Sequence, residues 1–109
     1  MYISITGLKP KGLLAYFKFW TLAIPSFNQA RTAHGNLHCS VKRIQGQQCT
    51  LTAWESRELM LDFMRSGAHL KAMKAFRSIA TGKTYGYVAE TVPPWKEAFA
   101  LLQKEGREY

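Results

Sequence analysis

The features that most often announce an activity are missing from this chain. It has no P-loop, no G-x-G-x-x-G turn and no G-x-S-x-G elbow, which removes the common nucleotide-binding and serine-hydrolase readings. It has no H-E-x-x-H, and His34 and His38 lack a third ligand at metal spacing, so no metal site is expected. Cysteine is scarce. Cys39 and Cys49 are the only two, without C-x-x-C spacing, and they read as small buried hydrophobes in a reducing compartment. No run of like charge reaches five residues, and no internal repeat, linker or low-complexity segment appears.

A membrane span is also missing. Lys9 and Lys11 precede Gly12–Ile24, an apolar stretch that imitates a secretion signal, but Lys18 interrupts it. It is shorter than the ~20 residues that cross a bilayer, and its bulky aromatics suit core packing better. The expected location is the cytoplasm, with no transmembrane segment.

What is present is a single domain's worth of chain: 109 residues, 47% hydrophobic, 13% aromatic and 20% charged, a composition of globular proteins rather than disordered ones. Fifteen Lys+Arg against seven Asp+Glu give a net charge of +8. The cations are spread along the whole sequence, which reads as a solvated basic surface.

Tyr2–Thr6 alternates Ile3 and Ile5 with Ser4 and Thr6, a short half-buried strand, and the stretch from Gly7 to Gly12 breaks it. From Gly12 to about Ala33, Leu13, Leu14, Phe17, Trp20, Ile24 and Phe27 recur at helical spacing, which predicts a first helix that buries this face and kinks or restarts at Pro25. His38–Ile44 and Gln48–Trp54 predict a hairpin. If Leu37, Cys39 and Val41 share a face with Cys49, Leu51 and Ala53, the loop holds an odd number of residues, Gln45-Gly46-Gln47. The other face then collects His38, Ser40, Lys42, Thr50, Thr52 and Trp54.

Neither loop parity allows a disulfide. A two-residue loop puts Cys39 and Cys49 on opposite faces, and a three-residue loop leaves Cys49 about 13 Å along the strand from Ala53, the partner of Cys39, beyond the about 7 Å that a bridge spans. Ser56 is an N-cap for a second helix with Leu59, Met60, Phe63 and Met64 on one stripe, interrupted at Gly67 and continued by Leu70, Met73, Phe76 and Ile79 to Ala80. Thr81-Gly82 closes that helix. Lys83–Thr91 predicts a fourth strand, Pro93-Pro94 ends it, and Trp95 to Leu102 predicts a C-terminal helix.

The order is βαββαβ plus a tail helix. That is the ferredoxin-like arrangement, an α+β fold with a four-stranded antiparallel sheet and both main helices on one face. The same order with positive charge also occurs in RNA-recognition modules, whose third strand carries a Lys/Arg-Gly-aromatic pattern. Gln48-Cys49-Thr50-Leu51-Thr52-Ala53 has neither that pattern nor a stacking aromatic before Trp54, so nucleic acid is not an expected partner.

Two blocks narrow the reading: Thr50-Leu51-Thr52-Ala53-Trp54-Glu55-Ser56 on strand three, and Phe63-Met64-Arg65-Ser66-Gly67-Ala68-His69 on helix two. With Lys9-Pro10-Lys11-Gly12, Gly35-Asn36 and Ala80-Thr81-Gly82, the chain over about residues 1–95 resembles the dimeric α+β barrel proteins grouped with antibiotic-biosynthesis-type monooxygenases, and among them a bacterial branch described as spheroidene-monooxygenase-like. The resemblance implies a homodimer formed by stacking two sheets into a barrel, and an apolar ligand between helices and sheet. It implies either a monooxygenase acting on an aromatic or polyene small molecule or a non-catalytic binder of haem, a quinone or a carotenoid. Some such proteins oxidise polyketide quinones without a cofactor, and others bind and degrade haem. The haem degraders use a Trp and a His on helix two and an Asn on strand one. Phe63, Met73 and the Ser4–Thr6 stretch stand at the matching positions here, a departure that speaks against haem degradation of this kind and leaves the expected cofactor as none or an unknown one, haem being one candidate.

His69 is the candidate catalytic residue, because it follows the Gly67 break and precedes Met73 by one turn, at the edge of the apolar stripe. An imidazole there serves as a base or axial ligand, or simply as a hydrogen-bonded packing residue. Phe17, Trp20, Trp54, Phe63 and Met73 are the candidate walls of a flat apolar pocket, with Arg65 beside it to hold a ligand oxygen. The face of Ser40, Thr50, Thr52 and Trp54 carries too much β-branched and aromatic surface for a solvated sheet, and it is the expected homodimer face.

Overall fold

The computed structural model describes residues 1–108. The elements run β1 (Tyr2–Pro10), α1 (Leu13–Thr32), β2 (Asn36–Ile44), β3 (Gln47–Trp54), α2 (Arg57–Met64), α3 (Gly67–Ile79), β4 (Ala80–Val88), α4 (Trp95–Glu105) and β5 (Arg107–Glu108). The sheet is antiparallel, with strand order β2-β3-β1-β4-β5. The fold is therefore α+β and ferredoxin-like, with a fifth strand beyond the four expected. β5 is a two-residue addition pairing Lys83 with Glu108 and Thr84 with Arg107.

Alternation along β1 sorts the two faces. Ile3 and Ile5, fully buried, join Leu51, Ala53, Ala98 and Leu102 in a core beneath α4. Tyr2, Ser4, Thr6 and Leu8 point the other way, where Leu8 packs with Phe19, Ala72, Phe76 and Ala80, and Trp54 with Ala30, Met60 and Phe63. Helices α1, α2 and α3 thus lie on one side of the sheet and α4 on the other.

The hairpin corrects the expected register. Ile44 pairs with Gln47, so the loop holds only Gln45 and Gly46, both at positive φ (51° and 77°). That is the backbone of a primed two-residue turn, whose twist matches the strands it joins, and Gly46 adopts it without strain. Cys39 now pairs with Thr52 and Val41 with Thr50. A change of one residue in loop length moves every β3 side chain to the other face relative to β2. Thr50, Thr52 and Trp54 consequently face the helices, not a partner sheet, and Ser40 lies on the α4 side with its partner Leu51. Cys39 and Cys49 lie on opposite faces and both are free thiols.

Three boundaries also differ. β1 continues through Gly7 to Pro10, because Gly7, Leu8 and Lys9 keep pairing with β4. α1 runs unbroken through Pro25. Thr21 and Pro25 are both exposed, so the carbonyl left without an intrahelical donor faces water. β4 begins at Ala80, and Thr81-Gly82 is strand because Leu8 and Lys9 pair with it. As expected, Ser56 caps α2, its hydroxyl accepting from the Leu59 N–H at 3.2 Å.

α1 departs most from its sequence pattern. Leu13, Leu14, Phe17 and Ile24 are 74%, 86%, 61% and 55% exposed, and the buried positions are Phe19 and Ala30. The helix is apolar nearly all round, so periodicity alone does not say which side faces the sheet.

Candidate functional site

Between Leu8 at one end and Trp54 at the other, the side chains that β1, β3 and β4 send toward the helices are small and hydroxylated: Ser4, Thr6, Thr50, Thr52 and Thr84. With Ala23 and Ala30 opposite them on α1, they do not fill the space between sheet and helices, and a cavity of about 230 Å³ remains. Trp20, Phe27, Met60, Met73 and Phe76 are among its walls, and Ile24 and Val41, both more than half exposed, line it where α1 approaches β2. Among the described residues no Lys, Arg, Asp or Glu lines it.

Its polar end is assembled at the break between α2 and α3. Gly67 takes φ 56°, which lets the chain restart as α3 directly after Ser66. Ser66 does not cap its own helix. Its hydroxyl turns back to donate to the carbonyls of Asp62 (3.0 Å) and Phe63 (3.2 Å). The capping is done from outside by Gln29 of α1, whose Oε1 accepts from the His69 N–H at 2.9 Å while its Nε2 donates to the Ser66 carbonyl at 3.0 Å. One amide thereby serves the third N–H of α3 and a last carbonyl before the break. Nothing in the sequence pattern singles out Gln29, since this bond crosses 40 positions.

His69 lies in this frame. Its Nδ1 is 3.3 Å from the Met64 carbonyl, which can only accept, so Nδ1 carries the proton and Nε2 keeps a lone pair. Burial pushes the imidazole below its ordinary value, against a smaller opposing pull from the Met64 carbonyl. His69 is thus a neutral base at the edge of an uncharged cavity. Its ring lies 4.3 Å from that of Phe63, and Phe63 stacks on Trp54 at 5.0 Å, forming an aromatic column from the helix break to the end of β3. Trp54 is fully buried and donates Nε1–H to Thr52 Oγ1 at 3.0 Å.

The structure brings together His69, Trp20, Trp54, Phe63 and Met73 around one cavity. Phe17 and Arg65 stand apart from it: Phe17 points outward from α1, and Arg65 is exposed between α2 and α3. Trp20 meets Tyr16 and Phe19 edge-on, and its indole Nε1 is the buried side-chain polar atom left without a hydrogen bond among the described residues. The lining does not fit haem. Among the described residues it holds no cation to take the propionate groups. Among the described residues no group of three His, Cys, Asp or Glu could hold a metal ion, and no helix is long and apolar enough to cross a membrane.

The same fold occurs in solved structures described as a cofactor-independent oxygenase or, provisionally, as antibiotic biosynthesis monooxygenases, and these superpose on most of this chain. SnoaB from Streptomyces nogalater, a cofactor-independent oxygenase, matches in a point-mutant form with a TM-score of 0.68 at 12% identity, over 85% of this chain and 96% of its own. A protein of Nitrosomonas europaea, provisionally described as an antibiotic biosynthesis monooxygenase, matches at 0.72 and 14% identity over 84% and 100%. One from Deinococcus radiodurans with the same provisional description matches at 0.72 and 17% over 86% and 97%. No family model and no curated protein matches the sequence. At these identities the likeness shows the fold alone.

Proposed function

We propose that the chain is a monooxygenase acting on an uncharged, largely apolar aromatic or polyene small molecule held between α1, α2, α3 and the sheet. The observation that carries this reading is a cavity with apolar walls, a hydroxyl floor and one neutral imidazole at its end. An imidazole held neutral can take a proton from an acidic phenol or enol. A substrate that supplies its own electrons needs no other cofactor. One O₂ is consumed: the phenol loses its O–H hydrogen and one ring C–H hydrogen, one oxygen becomes the new carbonyl of the quinone at that carbon, and the other leaves as water with the two hydrogens. SnoaB is an oxygenase that works without a cofactor, which supports this chemistry for the fold.

The test pairs oxygen-uptake assays on electron-rich phenols with the His69→Ala variant. Turnover should disappear while the melting temperature stays within a few degrees. Wild-type turnover in the variant would remove the base role. Tight binding with no oxygen uptake by the native protein would favour the second reading, a carrier without catalysis, which the scarcity of titratable groups also supports: among the described lining residues only His69 and Cys49 titrate, and the Cys49 side chain is on the α4 face.

We further propose a homodimer through the α4 side of the sheet. There α4 covers β1, β3 and β4 and leaves His38 and Ser40 of β2 half-buried beside it. A monomer mass in light scattering at micromolar concentration would end that proposal.

A further inference from the structure

α1 is apolar on two sides. One packs into the fold, and the other presents Leu13, Leu14, Phe17 and Ile24, each more than half exposed, as one stripe from the helix start to the cavity rim. Four large apolar side chains in a row are more than scattered surface hydrophobes and mark a contact face. Charge identifies its occupant. All seven acidic residues of the chain lie after Trp54, so α1, β1 and the hairpin carry cations and no carboxylate. Lys9 and Lys11 sit exposed just before the stripe, and Lys18 sits one turn beyond Leu14.

We propose that this stripe is a docking face for an anionic lipid surface. The helix lies on the bilayer, with Leu13, Leu14 and Phe17 dipping among the acyl chains and the three lysines at the headgroups. Insertion of apolar side chains and attraction of basic ones are the two signals that together make such binding stable. α1 does not span, since no helix among the described residues is long and apolar enough to cross. A second copy is a poorer occupant, because stacking stripe on stripe brings lysines of both chains together with no carboxylate in this half of the sequence to offset them. Docked this way, the fold rests on the membrane beside Ile24 and Val41, and an apolar molecule dissolved in the bilayer reaches the cavity without crossing water. The proposal holds whatever the cavity does.

The test is sedimentation of the full chain with extruded vesicles of phosphatidylcholine alone or mixed with phosphatidylglycerol. Binding should appear on the mixed vesicles and weaken as salt rises. The double variant Leu14→Ser, Phe17→Ser changes only exposed positions, and circular dichroism checks that it folds. Its partitioning should fall by about tenfold or more. Lys11→Ala should weaken binding about fivefold. Lys96→Ala removes an equal charge from α4, across the sheet, and should change it by less than about twofold. Unaltered binding of the double variant would reduce the effect to general charge attraction and overturn the proposal, as would no binding at all. So would a native dimer that the double variant splits, because it would give the stripe to a second copy.

Discussion

Thr50 and Leu51 are neighbours on β3, and the two sides of the sheet they face are built to opposite ends. On the α4 side, Ile3, Ile5, Leu51, Ala53, Ala98 and Leu102 are at most 1% exposed and close on one another. On the other side, Ser4, Thr6, Thr50 and Thr84 are too short to reach the helices, and space is left. A strand's alternation is usually a contrast between inside and outside. Here both faces are covered, and the contrast lies between filled and unfilled interior. Stability is concentrated on one side and capacity on the other.

Substitutions at adjacent positions separate the two roles. Leu51→Ala should cost about 2–5 kcal/mol in denaturant unfolding and leave ligand binding per folded molecule intact. Loss of binding without loss of stability would invert the comparison. Ser56→Ala removes the hydroxyl that caps α2 above the cavity and should cost about 1 kcal/mol. Thr50→Met puts a longer side chain into the space and should change stability by less than about 1 kcal/mol while blocking the site, as read by ligand titration.

The smallest effect is a pH dependence. His69 is held neutral in the fold, so as pH falls through the ordinary imidazole value near 6.5 the unfolded chain takes up the proton first. The contribution of His69 is full above that value, declines below it and levels off beneath its folded-state value. The stability difference between the native chain and His69→Gln should therefore shrink as the solution is acidified from about pH 7.5 to about pH 5.5, and a constant difference would place the imidazole in water.

Much of the architecture is legible in the sequence because local signals and packing agree. Ile3 and Ile5 alternate with Ser4 and Thr6, Ser56 has the chemistry of a cap, and Gly67 sits where the helix must restart. Sequence and structure part where local chemistry is neutral between two outcomes. Gln45-Gly46-Gln47 carries one glycine that serves a two-residue or a three-residue loop equally well, and that choice decides where Thr50, Thr52 and Trp54 point. On α1, Phe17 and Phe19 offer the same apolar area, and only the shape of the sheet decides that Phe19 goes in. Of the candidate site, His69, Trp20, Trp54, Phe63 and Met73 are readable, while Gln29 is not, because its role depends on two helices meeting.

The two-residue hairpin turn also constrains how descendants of this sequence can change length. Most surface loops absorb an inserted or deleted residue as slack. At Gln45-Gly46 the slack has to be taken up by the turn itself, like a spare link in a clasp. An inserted residue leaves every pair in place if Ile44 still opposes Gln47 across a three-residue loop, whereas a turn held at two residues would slide β2 against β3 and bring Cys39 and Val41 to the α4 side. Lineages that keep the site should therefore lengthen the loop rather than the strands, and keep Gly or Asn within it.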